Sequence, residues 1–222
     1  NDVIADISFI NDHFFSTNYD LSGNAGSQID LLKFSPDGKN IDDVFDLRMN
    51  GRGYLAITND GTDIYLQSLN TSTIIKCSLI GERIYMKWDN SSGSQWQESG
   101  LCYKKEVDSL LLLYKNLKNP GQYRARTVSK QNPDISGSDI IFNLDSVGTT
   151  NRAVYAIEYF DSSFYMLGVN HSGKDILIIS DYNFSSFSIE EIPDSTVIGL
   201  CFKGSDLYFS YRNRIIKKWN SY

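Results

Sequence analysis

Trp88 and Trp96 stand at either side of a run of short polar side chains in KWDNSSGSQWQES, Lys87 to Ser99. A sugar offers apolar ring faces and many hydroxyls, so sites for it pair a stacking aromatic with amide, hydroxyl or carboxylate groups. Trp88, Asp89, Asn90, Gln95 and Trp96 supply that mixture and are the candidate ligand-binding residues. The competing interpretation is a polar connection whose tryptophans pack on adjacent structure. DYNFSSF, with Tyr182, Asn183 and Phe184, is a smaller instance of the same mixture.

Acid–base chemistry would need two carboxyls facing one another. Asp6, Asp108, Glu158, Asp161 and Asp206 are placed for it, but Asp108, Asp161 and Asp206 fall in turn contexts, where an aspartate serves its own backbone. Asp6 and Glu158 remain as the catalytic candidates should the chain be an enzyme. There is no GxSxG nucleophile motif and no DxDxDG calcium loop, and neither His13 nor His171 comes with a partner pattern. Gly51-Arg52-Gly53 is too short for a phosphate loop. Cys77, Cys102 and Cys201 are far apart and lack CxxC spacing, which signals neither a zinc site nor a disulfide framework and predicts buried small hydrophobes. No cofactor and no metal are implied.

The net charge is −6 with a pI near 4.9, so a nucleic acid would meet repulsion. Arg212, Arg214, Lys217 and Lys218 are the only basic cluster, and their spacing around Ile215 and Ile216 predicts the solvent face of one strand. The longest apolar run, Leu110 to Tyr114, is far short of the roughly 20 residues that span a bilayer, so no membrane insertion is expected. No signal-peptide pattern opens the segment, and four N-x-S/T sequons, at Asn70, Asn90, Asn170 and Asn183, do not establish secretion. The first residue is Asn1, which suggests a domain of a longer protein or a processed product.

The elements that must carry these residues repeat. ISFINDHFFSTNYD, LAITNDGTDIYLQSLN, LCYKKEVDSLLLLYKN, AIEYFDSSFYMLGVN and GLCFKGSDLYFSYRN each alternate apolar and polar residues on both sides of a turn, the pattern of an antiparallel hairpin. Phe9, Ile57, Tyr103, Tyr159 and Phe202 align across the five, at intervals of 43 to 56 residues, the length of a four-stranded propeller blade. A second pair of strand-like runs follows the first four hairpins. The expected fold is therefore all-β: one five-bladed β-propeller, with blades near 7–50, 51–95, 96–148, 149–195 and 196–222 plus 1–6. The fifth unit lacks a fourth strand. Residues 2–6 are expected to pair with that last blade and close the ring.

GLCFKGSDLYFSYRNRIIKKW resembles propeller blades of the NHL kind, in which strand, Gly/Asp turn, strand, Asn-Arg corner and strand follow in order. Five such units look like the compact five-bladed propellers of some phage tail receptor-binding proteins, of tachylectin-type lectins and of arabinanase-type glycosidases. The near-identical repeats of tachylectin are absent, and no arabinanase catalytic motif can be matched residue by residue. The resemblance implies a non-enzymatic recognition module binding a surface glycan or cell-surface receptor, alongside further domains of its parent chain, outside the cell or on a virion. A glycosidase or lyase with central carboxylates, and a protein-interaction or virion structural platform, are the alternatives.

Overall fold

Asn11 and Asp12, and again Asp161 and Ser162, take positive φ at both central positions of a two-residue turn. This is the type I′ geometry whose twist matches that of the flanking strands, and it makes each inner pair a tight hairpin. A computed structural model of the chain describes residues 2–20, 28–50, 56–67, 73–84, 95–131, 136–145, 149–193 and 196–220.

The first sheet runs β1 (Asp2–Ile10), β2 (His13–Asp20), β3 (Gln28–Phe34), β4 (Ile41–Asn50). The second is β5 (Ala56–Asn59), β6 (Ile64–Gln67), β7 (Ile74–Cys77), β8 (Arg83–Ile84). The third is β9 (Trp96–Lys104), β10 (Ser109–Asn116), β11 (Gln122–Ser129), β12 (Ser136–Asn143), and the fourth β13 (Thr149–Phe160), β14 (Ser163–Asn170), β15 (Asp175–Asp181), β16 (Phe187–Glu191). The fifth has three strands, β17 (Val197–Lys203), β18 (Asp206–Tyr211) and β19 (Ile216–Lys218). All pairings are antiparallel between chain neighbours, and a 3-10 turn, Lys105–Val107, joins β9 to β10.

The first strand of each sheet touches the first strand of the next, in the order β1, β5, β9, β13, β17 and back to β1. Five sheets arranged in this way form a five-bladed β-propeller. The core divides accordingly into five clusters, each shared by two neighbouring blades. Phe9, Ile57, Tyr103, Tyr159 and Phe202 each pack toward the preceding blade. The sequence period is thus the period of interblade packing.

Ring closure differs from the expectation. Residues 2–6 do not join the last blade; they continue β1, with Asp2, Val3 and Ile4 opposite Asp20, Tyr19 and Asn18. Pairing across a two-residue turn closes a far shorter loop than pairing with residues some two hundred positions away, and so costs less chain entropy. The seam is instead held side by side. Ile4, Ile7, Phe14, Leu32 and Phe34 of the first blade share a core with Cys201 and Ile216 of the fifth. The Leu200 N–H donates to Asp6 Oδ1 at 3.0 Å, and the Ser210 hydroxyl donates to the Ala5 carbonyl at 3.2 Å.

A β-bulge recurs on the innermost strands, between Ile4 and Ile7 of β1, at Ser99 of β9, at Tyr155 of β13 and at Ile198 of β17. The extra residue turns groups toward the neighbouring blade. Ser99 donates to the Val154 carbonyl, and Tyr155 to the Val197 carbonyl at 3.1 Å.

The three cysteines are free and buried, as expected. The basic cluster does not share one strand: Arg212 and Arg214 lie in the β18–β19 connection, where Arg214 has positive φ, and only Lys217 and Lys218 lie on β19.

Candidate functional site between the second and third blades

Of the Trp-flanked loop, Trp88, Asp89 and Asn90 lie outside the described residues, while Gln95 and Trp96 lie within them. Gln95 is exposed, and its carbonyl accepts the Leu117 N–H at 2.7 Å. Trp96 opens β9, at the end of the strand remote from the inner hairpin turn. Half-buried, it packs against the core shared by the second and third blades.

That side of the third blade carries a row of cross-strand neighbours, with Glu98 opposite Tyr114 and Tyr114 opposite Arg124. The alternation that buries Leu110, Leu112 and Tyr114 on one face of β10 brings the Arg124 guanidinium to the same face. Its central carbon sits 4.6 Å from the Tyr114 ring centre and 4.8 Å from that of Trp96. Cation–π stacking of this kind holds the planar group in place. Arg124 is only 7% exposed, and its Nε and Nη2 are buried without a hydrogen-bond partner. Burial lowers its pKa, the positive charge of Arg126 lowers it further, and the charges of Asp139 and Glu98 oppose the shift. Nη1 reaches Asp139 only at 3.9 Å.

Arg126, two residues along the same face, is satisfied by comparison. Its Nε and Nη2 donate to the two carboxylate oxygens of Asp139 at 2.7 and 2.8 Å. The Tyr114 hydroxyl and the Gln67 Oε1 are also buried without a partner. Gln67 stands two residues beyond Tyr65, which belongs to the same interblade core, so it points toward the same interface. An unmade hydrogen bond in a buried polar group costs about 1–3 kcal/mol, and more for a charged one. Three such residues at one end of one interface are a concentration that polar ligand groups could relieve.

The carboxylate candidates lie at the centre of the ring. Asp6 and Glu158 are both on innermost strands, in the first and fourth blades. Counted from the aligned Phe9, Ile57, Tyr103 and Tyr159, Glu158 occupies the position held elsewhere by Ser8, Ala56, Cys102 and Cys201. Asp6 occupies the position held by Tyr54, Gly100, Ala156 and Gly199. Glu158 therefore stands where the other blades place small side chains, and Asp6 where three of the other four do. Asp6 is 1% exposed, and burial raises its pKa well above the usual carboxylate range. The N–H groups of Leu200 and Ile7 oppose that shift, and the charge of Glu158 adds to it. Burial pushes Glu158 up to about 8, against one backbone N–H from Tyr159. Asp6 is sealed from dissolved substrate and bonded into the ring seam. Among the described residues no group of three or more His, Cys, Asp or Glu is placed to hold a metal ion.

The smaller aromatic candidate separates into two roles. Phe184 is buried, stacked 4.4 Å from both Phe142 and Phe164. Tyr182 keeps 37% of its surface, with the Lys104 ammonium 3.7 Å from its ring centre, and Asn183 is exposed beside it. Arg124 and Tyr114 were missed by sequence reasoning; the only available signal was an arginine alternating with Tyr123 and Ala125 in an otherwise core-facing strand.

No protein-family model matches the chain, and no curated protein matches it. Solved structures do. A chain from a crystal structure of a nidogen/laminin complex superposes with a TM-score of 0.56 at 12% identity, covering 94% of this chain and 72% of that one. BamB from Moraxella catarrhalis gives a TM-score of 0.47 at 10% identity, over 99% and 84%. The likeness is one of fold. No helix among the described residues is long and apolar enough to cross a membrane.

Proposed function

We propose that the chain is a non-enzymatic recognition module that binds a surface glycan or receptor as part of a larger protein, acting outside the cell or on a virion. The observation that carries this reading is the Trp96–Arg124–Tyr114 stack, where a half-buried indole adjoins buried polar groups without partners. Aromatic faces beside amide, hydroxyl and guanidinium groups are what saccharide recognition requires. A rigid ring of blades is a suitable support, since a site on strands is held more exactly than one on loops alone. Fold likeness alone does not decide function.

A glycan array probed with the purified chain tests the proposal. Binding to a defined subset of glycans, weakened about tenfold or more by Trp96→Ala, is the expected result. An array without signal, or a signal indifferent to both Trp88→Ala and Trp96→Ala, removes the loop and its flank as the site.

One observation favours a second reading, a protein-interaction platform. Val44 on β4, Ile141 on β12 and Ile189 on β16 are exposed apolar residues on the outer edge strands of three blades. The similar chain described above comes from a protein complex. Pull-down by a purified partner that survives Trp96→Ala and fails with Val44→Asp or Ile141→Asp would support this reading over the first.

A further inference from the structure

Arg124 and Arg126 lie on one face of β11, in adjacent rows, and present the same two nitrogens. In Arg126 the Nε and Nη2 edge holds the Asp139 carboxylate side-on, at 2.7 and 2.8 Å. In Arg124 the same edge is buried and has no partner. The planar fork of a guanidinium matches two carboxylate oxygens, which makes this edge a receptor for one particular group. The pair beside it shows that the strand geometry accommodates such a bond.

We propose that Arg124 is an anion-binding group and that the ligand is a carboxylated saccharide, a sugar acid whose carboxylate docks on the Nε and Nη2 edge. This deepens the recognition reading above and rests on it. Trp96, the one partly exposed aromatic beside the guanidinium, supplies an apolar face for the sugar ring, and Gln67 Oε1 and the Tyr114 hydroxyl are buried polar atoms at the same interface that lack partners. Asp139 does not compete for the edge, because both its oxygens are engaged by Arg126. Glu98, buried on the paired strand, supplies a negative charge near Arg124 that selects against anions lacking further contacts. Access requires the half-buried Trp96 to turn away from the guanidinium, a rotamer change of a partly exposed side chain.

The test titrates the ¹⁵N-labelled chain with sodium glucuronate, N-acetylneuraminate, glucose and acetate, following the arginine Nε–H resonances. Saturable movement of the Arg124 Nε–H with a sugar acid and not with glucose is expected. Arg124→Gln, and Arg124→Lys, which keeps the charge without the fork, should each weaken sugar-acid binding tenfold or more. Circular dichroism and the urea midpoint verify that each variant folds, and where Arg124→Gln does not, the wild-type resonance decides. An unmoved resonance, or sugar-acid binding within twofold of wild type in a folded Arg124→Gln, overturns the proposal. Acetate binding as tightly as glucuronate overturns the saccharide part. Binding of neutral glycans alone, lost in Trp96→Ala, overturns the carboxylate and leaves the recognition reading standing; binding of neither class removes both.

Discussion

Glu158 shows how much one side chain can make stability depend on pH. Its folded pKa, about 8, lies above the ordinary 4.5, so the native state keeps a proton that the unfolded chain releases. The associated stability is fully present below about 4.5 and is lost as pH rises through about 8. Unfolding midpoints measured from pH 5 to 8 should fall with pH, and Glu158→Gln should flatten that fall while retaining an acceptor for the Tyr159 N–H. Asp60 has the opposite sign. Burial would raise it, but Lys130 at 2.8 Å, the N–H groups of Asp63 and Thr62, and the Tyr65 hydroxyl hold it at about 2. Its contribution is present above the ordinary 3.8 and is lost as pH falls toward 2. Lys130 also reaches Asp108 at 2.7 Å, so it clasps the second and third blades. Lys130→Met should cost about 1–3 kcal/mol in urea unfolding at pH 7, since Asp60 would stay buried with its cation removed.

At the scale of the element, the inner strands pack so closely that a methyl group decides whether they meet. A Cβ on Gly199 would fall 2.4 Å from the Asp6 Cα, across the ring seam. A Cβ on Gly100 would fall 2.7 Å from Ile157 Cγ2, which is the end of a side chain. Backbone yields less than side chain, so Gly199→Ala should destabilise more than Gly100→Ala, by roughly 1–3 kcal/mol or more against a smaller loss. Chemical denaturation of the two variants measures the difference. Gly100, Ala156 and Gly199 stand three positions before the aligned Tyr103, Tyr159 and Phe202. The bulges were not legible in the sequence, because the innermost strands are buried on both faces and the phase slip made by an extra residue is hidden until the partner strand is known.

For the whole molecule, stability belongs to the interfaces. Each core cluster draws on two blades, so no blade encloses a core of its own. The ring should unfold in one cooperative transition. A chain ended after residue 193 would lose the fifth blade and expose its halves of two clusters, those with the fourth and first blades. It should show no cooperative thermal transition and should bind a hydrophobic dye. An open repeat array would shorten and still melt cooperatively, and that outcome would count against a closed ring.

The chain's five hairpins, their alternation and the interblade aromatics were legible in its sequence, because period-2 patterning and turn chemistry are local properties. The manner of closure and the candidate site were not. Residues 2–6 were expected on the last blade; short-loop pairing sets them beside β2 instead, while Asp6 reaches across the seam to Leu200. Trp96 announced itself by type, whereas Arg124 acquired its meaning from Tyr114 across one strand and Trp96 across two. Patterns along a chain report which face a residue occupies; which groups confront each other on that face, and which donors go unpaired, is fixed by register and by the approach of neighbouring sheets.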